Sequence, residues 1–88
     1  MLTNNKEIYL IKDLAGLSGL SIYTVKYYLK LGLIKEVGKT PGSNFRYFDN
    51  TNLETLKFIR NLRLKGYSLS LIKAELSKNS QLVFNLRD

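Results

Sequence analysis

The stretch SIYTVKYYLKLGLI interleaves aromatic rings with positive charge. Its tyrosines and lysines are Tyr23, Lys26, Tyr27, Tyr28 and Lys30. Lysine ammonium groups bind phosphate oxygens as point charges on flexible stems. A cluster of tyrosines alone is typical of a protein core, but lysines between the rings favour a surface that meets a polyanion.

The rest of the composition argues against the commoner kinds of catalysis. The sequence contains no histidine and no cysteine. It therefore lacks the commonest general base, the commonest metal ligand and all thiol chemistry. Its carboxylates are few and scattered, and neither a glycine-rich phosphate loop nor a nucleophile motif is present. We expect no enzyme, no cofactor and no metal site.

The charge balance indicates the kind of partner. The 88 residues include 14 Lys and Arg against 7 Asp and Glu, which gives a net charge of +7. This is strong for so short a chain and favours a polyanion such as nucleic acid. No apolar run approaches membrane-spanning length, and the N-terminus lacks a signal-peptide pattern, so we expect a cytoplasmic protein.

Two short helices separated by a glycine turn must position the basic stretch. Apolar residues follow helical spacing over residues 11–17, and Gly19 allows a sharp turn because it tolerates a positive φ. Ser21 is a suitable N-cap for the second helix, and Gly32 is placed to end it. Ala15 stands before the turn, where a small side chain lets two helices cross closely. This spacing is the helix-turn-helix pattern.

A helical wheel sorts the side chains of the second helix. Ile22, Val25 and Leu29 share one apolar face. Tyr28 lies near the edge of that face and is expected to be structural, whereas Tyr27 lies nearly opposite. The residues expected at the outward surface are Tyr23, Thr24, Lys26, Tyr27 and Lys30.

A β-hairpin is predicted next, over residues 35–48. The sequence KEVGKTPGSNFRYFD has Gly38, Pro41 and Gly42 between two short β-prone stretches. Such a hairpin is marginal alone and must pack on a helix. Phe45 and Phe48 are expected to provide this packing.

Two further helices and a tail complete the chain. Asp49 is a suitable N-cap for a helix over about residues 50–65, and its apolar residues go most of the way round, so we expect it to be central. Ser68 is expected to cap a short fourth helix that ends near Leu76. In the tail Leu82, Phe84 and Leu86 alternate as an edge strand would. These elements predict a flexible N-terminus at 1–9, a domain at 10–77 and a tail of unknown role at 78–88.

Three separated motifs resemble the winged-helix DNA-binding domain of MerR-type transcription regulators. They are SIYTVKYYLKLGLI, NFRYFD and LKFIRNLRLKGYSLSLIKAEL, and the resemblance covers roughly residues 8–77. It implies a mainly α fold: a helix-turn-helix, a short β-hairpin wing and two further helices. It also implies sequence-specific binding to double-stranded DNA, with the recognition helix at 21–31 in the major groove and the wing at 35–48 on the backbone.

The sequence departs from the family pattern at several positions. Lys26 stands where arginine is usual, Leu29 where an acidic residue is usual, and Leu10 where serine or threonine usually caps the first helix. Full-length members continue into a dimerisation helix, and many add an effector domain. The chain therefore resembles either a fragment or the small stand-alone, BldC-like members, and we expect no small-molecule effector.

The resemblance and the outward residues together give the predicted DNA contacts. On the recognition helix they are Tyr23, Thr24, Lys26, Tyr27 and Lys30; on the wing they are Lys39, Ser43, Asn44 and Arg46. Arg46 is the strongest single candidate because arginine suits both phosphate and minor-groove contact. Arg60 and Arg63 are expected to be solvated.

Other functions fit the same sequence. An excisionase-like protein that bends DNA for a recombinase has similar charge and fold. A protein-interaction module that uses the wing and the QLVFNL segment is a second alternative, and RNA binding is a third. With DNA as partner, we expect a monomer in free solution that self-associates on direct repeats through its tail.

Overall fold

The computed structural model describes the backbone of residues 7–87 and the side chains of residues 7–78. The described part is mainly helical with one small antiparallel hairpin. In chain order its elements are α1 (Ile11–Ser18), α2 (Ile22–Lys30), β1 (Gly38–Lys39), β2 (Arg46–Tyr47), α3 (Asn50–Leu64) and α4 (Leu69–Arg87). The predicted fold class is confirmed.

The turn between α1 and α2 has the geometry that the glycine spacing predicts. Gly19 adopts a φ of 79°. The amides of Gly19 and Leu20 both donate to the carbonyl of Ala15, at 3.1 and 3.2 Å. Ser21 then caps α2 by accepting a hydrogen bond from the amide of Thr24. The helix-turn-helix is therefore fixed by backbone geometry at both sides of the turn.

The start of α1 uses an unexpected cap. Leu10 has no side-chain acceptor, as the sequence indicates. The carboxylate of Asp13 instead accepts a hydrogen bond from the Leu10 amide at 2.9 Å. This is half of a capping box, and an acidic group in the first turn also suits the positive end of the helix dipole.

The hairpin is short, and its loop is closed by hydrogen bonds. Gly38 pairs with Tyr47 and Lys39 with Arg46. In the loop the Thr40 amide donates to the carbonyl of Phe45 at 2.8 Å. A Cβ added at Gly38 would lie 2.7 Å from the hydroxyl oxygen of Tyr47, so the Tyr47 side chain would have to move.

The segment before α1 extends the hairpin. The amide of Tyr9 donates to the carbonyl of Phe48 at 2.8 Å, and the amide of Phe48 donates to the carbonyl of Tyr9 at 2.7 Å. Tyr9 is buried. The prediction of a flexible N-terminus is therefore wrong at residue 9, because a buried ring and a β-bridge fix it. Residues 1–6 of that segment lie outside the described residues.

The core is built by all four helices, the segments before α1 and after α2, and the end of the hairpin. Its residues are Tyr9, Leu14, Ala15, Val25, Tyr28, Leu33, Ile34, Phe48, Leu53, Leu56, Ile59 and Ile72. Phe48 is fully buried, as expected, but Phe45 is 60% exposed. Phe45 was expected to pack; it lies at the loop end of the hairpin, where it stays largely open to solvent. Ile22, expected on the apolar face, is also exposed because it begins α2 beside the turn.

The fourth helix is longer than the sequence indicates. It begins after Ser68, whose hydroxyl accepts a hydrogen bond from the Leu71 amide, and continues to Arg87. Neither glycine nor proline follows Gly66, so nothing in the sequence stops the helix near Leu76. The expected strand in the tail is wrong, because its backbone is helical. Over residues 7–87, no helix is both long enough and apolar enough to cross a membrane.

Candidate nucleic-acid interface

The recognition helix α2 presents rings and lysines to solvent. Tyr23 is 80% exposed and Tyr27 44% exposed, whereas Tyr28 is buried. Lys26 and Lys30 are exposed on the same helix. The sorting of tyrosines by helical wheel is confirmed, and the outward face of α2 combines two accessible rings with two ammonium groups.

The side chain of Thr24 takes part in the N-terminal capping of α2. It is half-buried, and its hydroxyl oxygen accepts a hydrogen bond from the Ser21 hydroxyl at 2.9 Å. Its amide donates to the same serine oxygen at 3.0 Å. The Thr24 hydroxyl retains its own proton for donation.

A groove runs between α2 and the wing. Its volume is about 530 Å³, and its lining residues are Ile11, Lys26, Leu29, Lys30, Glu36 and Arg46. We call it the basic groove, after its three cations Lys26, Lys30 and Arg46. The fold thus brings together lysines of the recognition helix and an arginine of the hairpin that are separate in sequence. Three cations beside one carboxylate attract phosphate.

The remaining predicted contacts lie on the wing. Lys39 is exposed opposite Arg46 in the strand register. Ser43 and Asn44 are exposed in the loop. The Ser43 hydroxyl shares a hydrogen bond with the Thr40 hydroxyl, and Asn44 adopts a φ of 63°. These residues lie on the wing beside Arg46 and outside the described lining of the basic groove.

Three side chains near these positions were not among the sequence candidates. Phe45 and Lys12 line a second groove beside Asn44 and Arg46. On the other side of α2, Lys73 of α4 lines a hollow that Tyr27 also lines. Helical periodicity predicts that Lys73 lies on the outer face of α4. That α4 comes near Tyr27 is seen only in the folded structure. Sequence periodicity within one element does not carry that information.

Arg60 was expected to be solvated, and it lies over the helix-turn-helix turn. A Cβ built on Gly19 would lie 3.2 Å from its Nε atom. The side chain is exposed on its outer side. Arg63 is also exposed and donates to the carbonyl of Tyr67 at 2.9 Å, near the end of α3. Both arginines therefore have structural contacts.

Within the part of the chain that the structure describes, no group of three or more His, Cys, Asp or Glu is placed to hold a metal ion. The described ion pairs are Arg46–Glu36, at 3.6 Å, and Lys57–Glu54, at 3.9 Å. The acidic partner of the first pair lies inside the basic groove, and the second pair lies within α3. Most cations of the interface are thus free of carboxylates in the described residues.

A helix-turn-helix followed by a β-hairpin and supporting helices defines the class of winged helix-turn-helix domains. A family model described as the MerR HTH family regulatory protein matches residues 9–79. The chain belongs to this family. The resemblance inferred from the three sequence motifs is confirmed.

Curated relatives are similar over most of this chain. The HTH-type transcriptional regulator CueR of Bacillus subtilis is 40% identical over 70 residues, which are 80% of this chain and 48% of that protein. The HTH-type transcriptional regulator ZntR of Escherichia coli K12 is 36% identical over 70 residues, which are 80% of this chain and 49% of that protein. The chain spans about half the length of these relatives.

Solved structures are similar in fold. HiNmlR, a MerR family regulator lacking the sensor domain and bound to promoter DNA, superposes with a TM-score of 0.74 and 30% identity, over 83% of this chain and 55% of that chain. The regulator PbrR691 of Ralstonia metallidurans in complex with lead(II) superposes with a TM-score of 0.74 and 32% identity, over 83% of this chain and 56% of that chain. Both likenesses support the winged-helix fold.

Proposed function

We propose that this chain binds double-stranded DNA sequence-specifically and acts in transcription regulation, without catalysis. In this proposal α2 enters the major groove and the wing contacts the adjoining backbone. The domain needs no cofactor and no small-molecule effector of its own. The absence of cysteine and histidine from the sequence removes the usual soft-metal ligands.

The observation that carries the proposal is the basic groove. Lys26 and Lys30 of the recognition helix converge there with Arg46 of the wing. An α-helix fits the major groove of B-DNA, and cations at its sides meet the phosphates that border the groove. The relative HiNmlR, which has the same fold, is bound to promoter DNA.

The exposed face of α2 supplies candidates for reading the sequence. Tyr23 and Tyr27 present rings and hydroxyls, and Thr24 presents a methyl group and one hydroxyl proton. Side chains of this kind reach base edges or thymine methyl groups in the major groove. Lys39, Ser43 and Asn44 are proposed as phosphate contacts from the wing.

The alternative of an excisionase-like architectural protein predicts a different target. The relatives named above are transcription regulators, which favours the first proposal. Footprinting separates the two, since a promoter spacer supports regulation and a recombination attachment site supports the alternative.

Self-association on direct repeats is a separate proposal. An edge strand in the tail cannot make the contact between neighbouring copies, because residues 82–86 lie within α4. Sedimentation of the free chain, followed by titration onto probes with two direct or two inverted half-sites, tests it. A free monomer that prefers the direct-repeat probe supports the proposal, and a preference for inverted half-sites contradicts it.

Fluorescence anisotropy tests the main proposal. The chain is titrated onto duplex DNA, duplex RNA and single strands across a salt series. We expect the tightest binding to duplex DNA, with an affinity that falls steeply as salt rises. Equal or tighter binding to RNA supports the RNA alternative, and no response to nucleic acid or salt supports the interaction module.

A further inference from the structure

Among the described residues that line the basic groove, Glu36 is the one with an acidic side chain. Its Oε2 lies 3.6 Å from the Nε of Arg46. A carboxylate among three cations weakens their attraction for phosphate. Glu36 is therefore expected to lower the affinity of the groove for DNA. The contact between Glu36 and Arg46 indicates a second effect.

The backbone around Glu36 is fixed on both sides. The preceding amide, that of Lys35, donates to the side-chain oxygen of Asn52 on α3 at 3.2 Å. The following amide, that of Val37, donates to the carbonyl of Tyr47 on β2 at 2.8 Å. The Glu36 side chain is only 28% exposed. The backbone at Glu36 is thus tied to both α3 and the wing, and its half-buried side chain starts from that fixed segment.

Arg46 is the more exposed member of the pair. Its side chain is 50% exposed and ends a long flexible stem. The Glu36 carboxylate lies beside Nε at 3.6 Å, which is an ion-pair distance and too long for a hydrogen bond. An ion pair at Nε attracts that edge of the guanidinium toward Glu36 and leaves the two terminal nitrogens for an acceptor on the other side.

We propose that Glu36 is a positioning residue for Arg46, which fixes the direction of the arginine fork on DNA. This inference rests on the proposed function. The carboxylate weakens binding to all duplexes through its charge, and it favours the duplexes whose phosphate backbone meets the oriented fork. Glu36 thereby raises selectivity at the expense of general affinity.

The experiment separates charge from geometry with two substitutions. Glu36→Gln removes the charge at nearly constant length, and Glu36→Asp keeps the charge but shortens the side chain. The probes are a duplex selected by the wild-type chain from a random pool and a shuffled duplex of the same composition. Glu54→Gln is the matched control, because it removes a carboxylate from the ion pair on α3, outside the basic groove.

We expect both Glu36 variants to lower the ratio of affinities for the selected and shuffled duplexes by about two- to fivefold. Glu36→Gln does so by tightening binding to the shuffled duplex. Glu36→Asp does so by weakening binding to the selected duplex. Glu54→Gln leaves the ratio unchanged, and thermal melting verifies that each variant is folded.

A double-mutant cycle with Arg46→Ala tests whether Glu36 acts through Arg46. In the Arg46→Ala background the Glu36 substitutions should no longer change the ratio. The proposal is overturned if Glu36→Asp keeps the wild-type ratio, or if the change persists without Arg46. If wild type itself binds no duplex DNA, the proposed function fails as well, so the two failures are distinguishable.

Discussion

Gly19 is the residue on which the helix-turn-helix depends most directly. Its φ of 79° is favourable for glycine and strained for a β-branched side chain, and a Cβ there would also press on Arg60. We expect Gly19→Val to lower the free energy of unfolding by about 1–3 kcal/mol. Chemical denaturation measures this, and an unchanged stability would contradict the observed turn.

A glycine substitution within α1 should have the opposite effect on stability. Gly16 lies within α1 at a negative φ, and a Cβ there would meet nothing within 4 Å. Gly16→Ala should therefore stabilise the domain by about 0.5–1 kcal/mol, since alanine loses less backbone entropy in a helix. If both substitutions destabilise equally, backbone conformation is not the cause.

Arg46 and Thr24 should have different effects on DNA binding, the first on overall affinity and the second on sequence preference. Arg46→Ala removes a cation of the basic groove, so it should weaken binding to every duplex and flatten the salt slope by roughly one unit. Thr24→Ala removes a methyl group and a hydroxyl near the reading face. It should change the preferred sequence at a cost of roughly 1 kcal/mol or less. Selection from a random duplex pool and salt titration measure the two effects; an Arg46→Ala variant with wild-type affinity and slope would contradict the wing assignment.

At the level of elements, Tyr9 ties the wing to the segment before α1 and to the start of α3. Its backbone pairs with Phe48, and its hydroxyl donates to Glu7 at 2.6 Å. The same hydroxyl lies 3.4 Å from the side-chain oxygen of Asn50, at the start of α3. The short hairpin is thus held by a third extended segment and a helix, which explains how so few strand residues keep a defined wing.

This tie predicts a response to alkaline pH. The hydrogen bond to Glu7, together with burial, raises the pKa of the Tyr9 hydroxyl above its ordinary value. The folded state therefore keeps the phenol proton more tightly than the unfolded state does. Its contribution to stability is fully present below about pH 10 and is lost as pH rises through the raised pKa.

Tyr9→Phe tests that response. The variant should be less stable than wild type near neutral pH, and the difference in melting temperature should shrink as pH rises above about 10. The lysines titrate in both proteins, so the difference between the two isolates the phenol. A difference that stays constant with pH would show that the hydrogen bond to Glu7 does not stabilise the folded state.

Elements with local signals were predictable from the sequence, and those set by distant contacts were not. Ser21, Gly32 and Asp49 mark the ends of helices through their own chemistry, and the structure confirms each. Tyr9 carries no local signal for a bridge, because its partner strand is far along the chain. The alternation of Leu82, Phe84 and Leu86 indicates a strand, whereas the chain after Gly66 contains no glycine or proline that would stop a helix, and α4 continues through these residues.

At the scale of the whole molecule, the same distinction applies to the interface. The net charge of +7 and the basic residues of α2 were readable as an affinity for polyanions. That Lys26, Lys30 and Arg46 share one groove, with Glu36 among them, depends on how the wing packs beside α2. Sequence spacing does not determine that packing, so the place of Glu36 emerged only from the fold.

The central claim is that the basic groove, and not the overall charge, binds DNA. Its most direct test compares the triple variant Lys26→Gln, Lys30→Gln, Arg46→Gln with a control in which the exposed residues Lys57, Lys65 and Lys78 are changed to glutamine. Both variants lose three positive charges. The measurement is the dependence of duplex-DNA affinity on salt. We expect the groove variant to flatten the salt slope by about two to three units while the control changes it little; equal changes in both variants would contradict the claim.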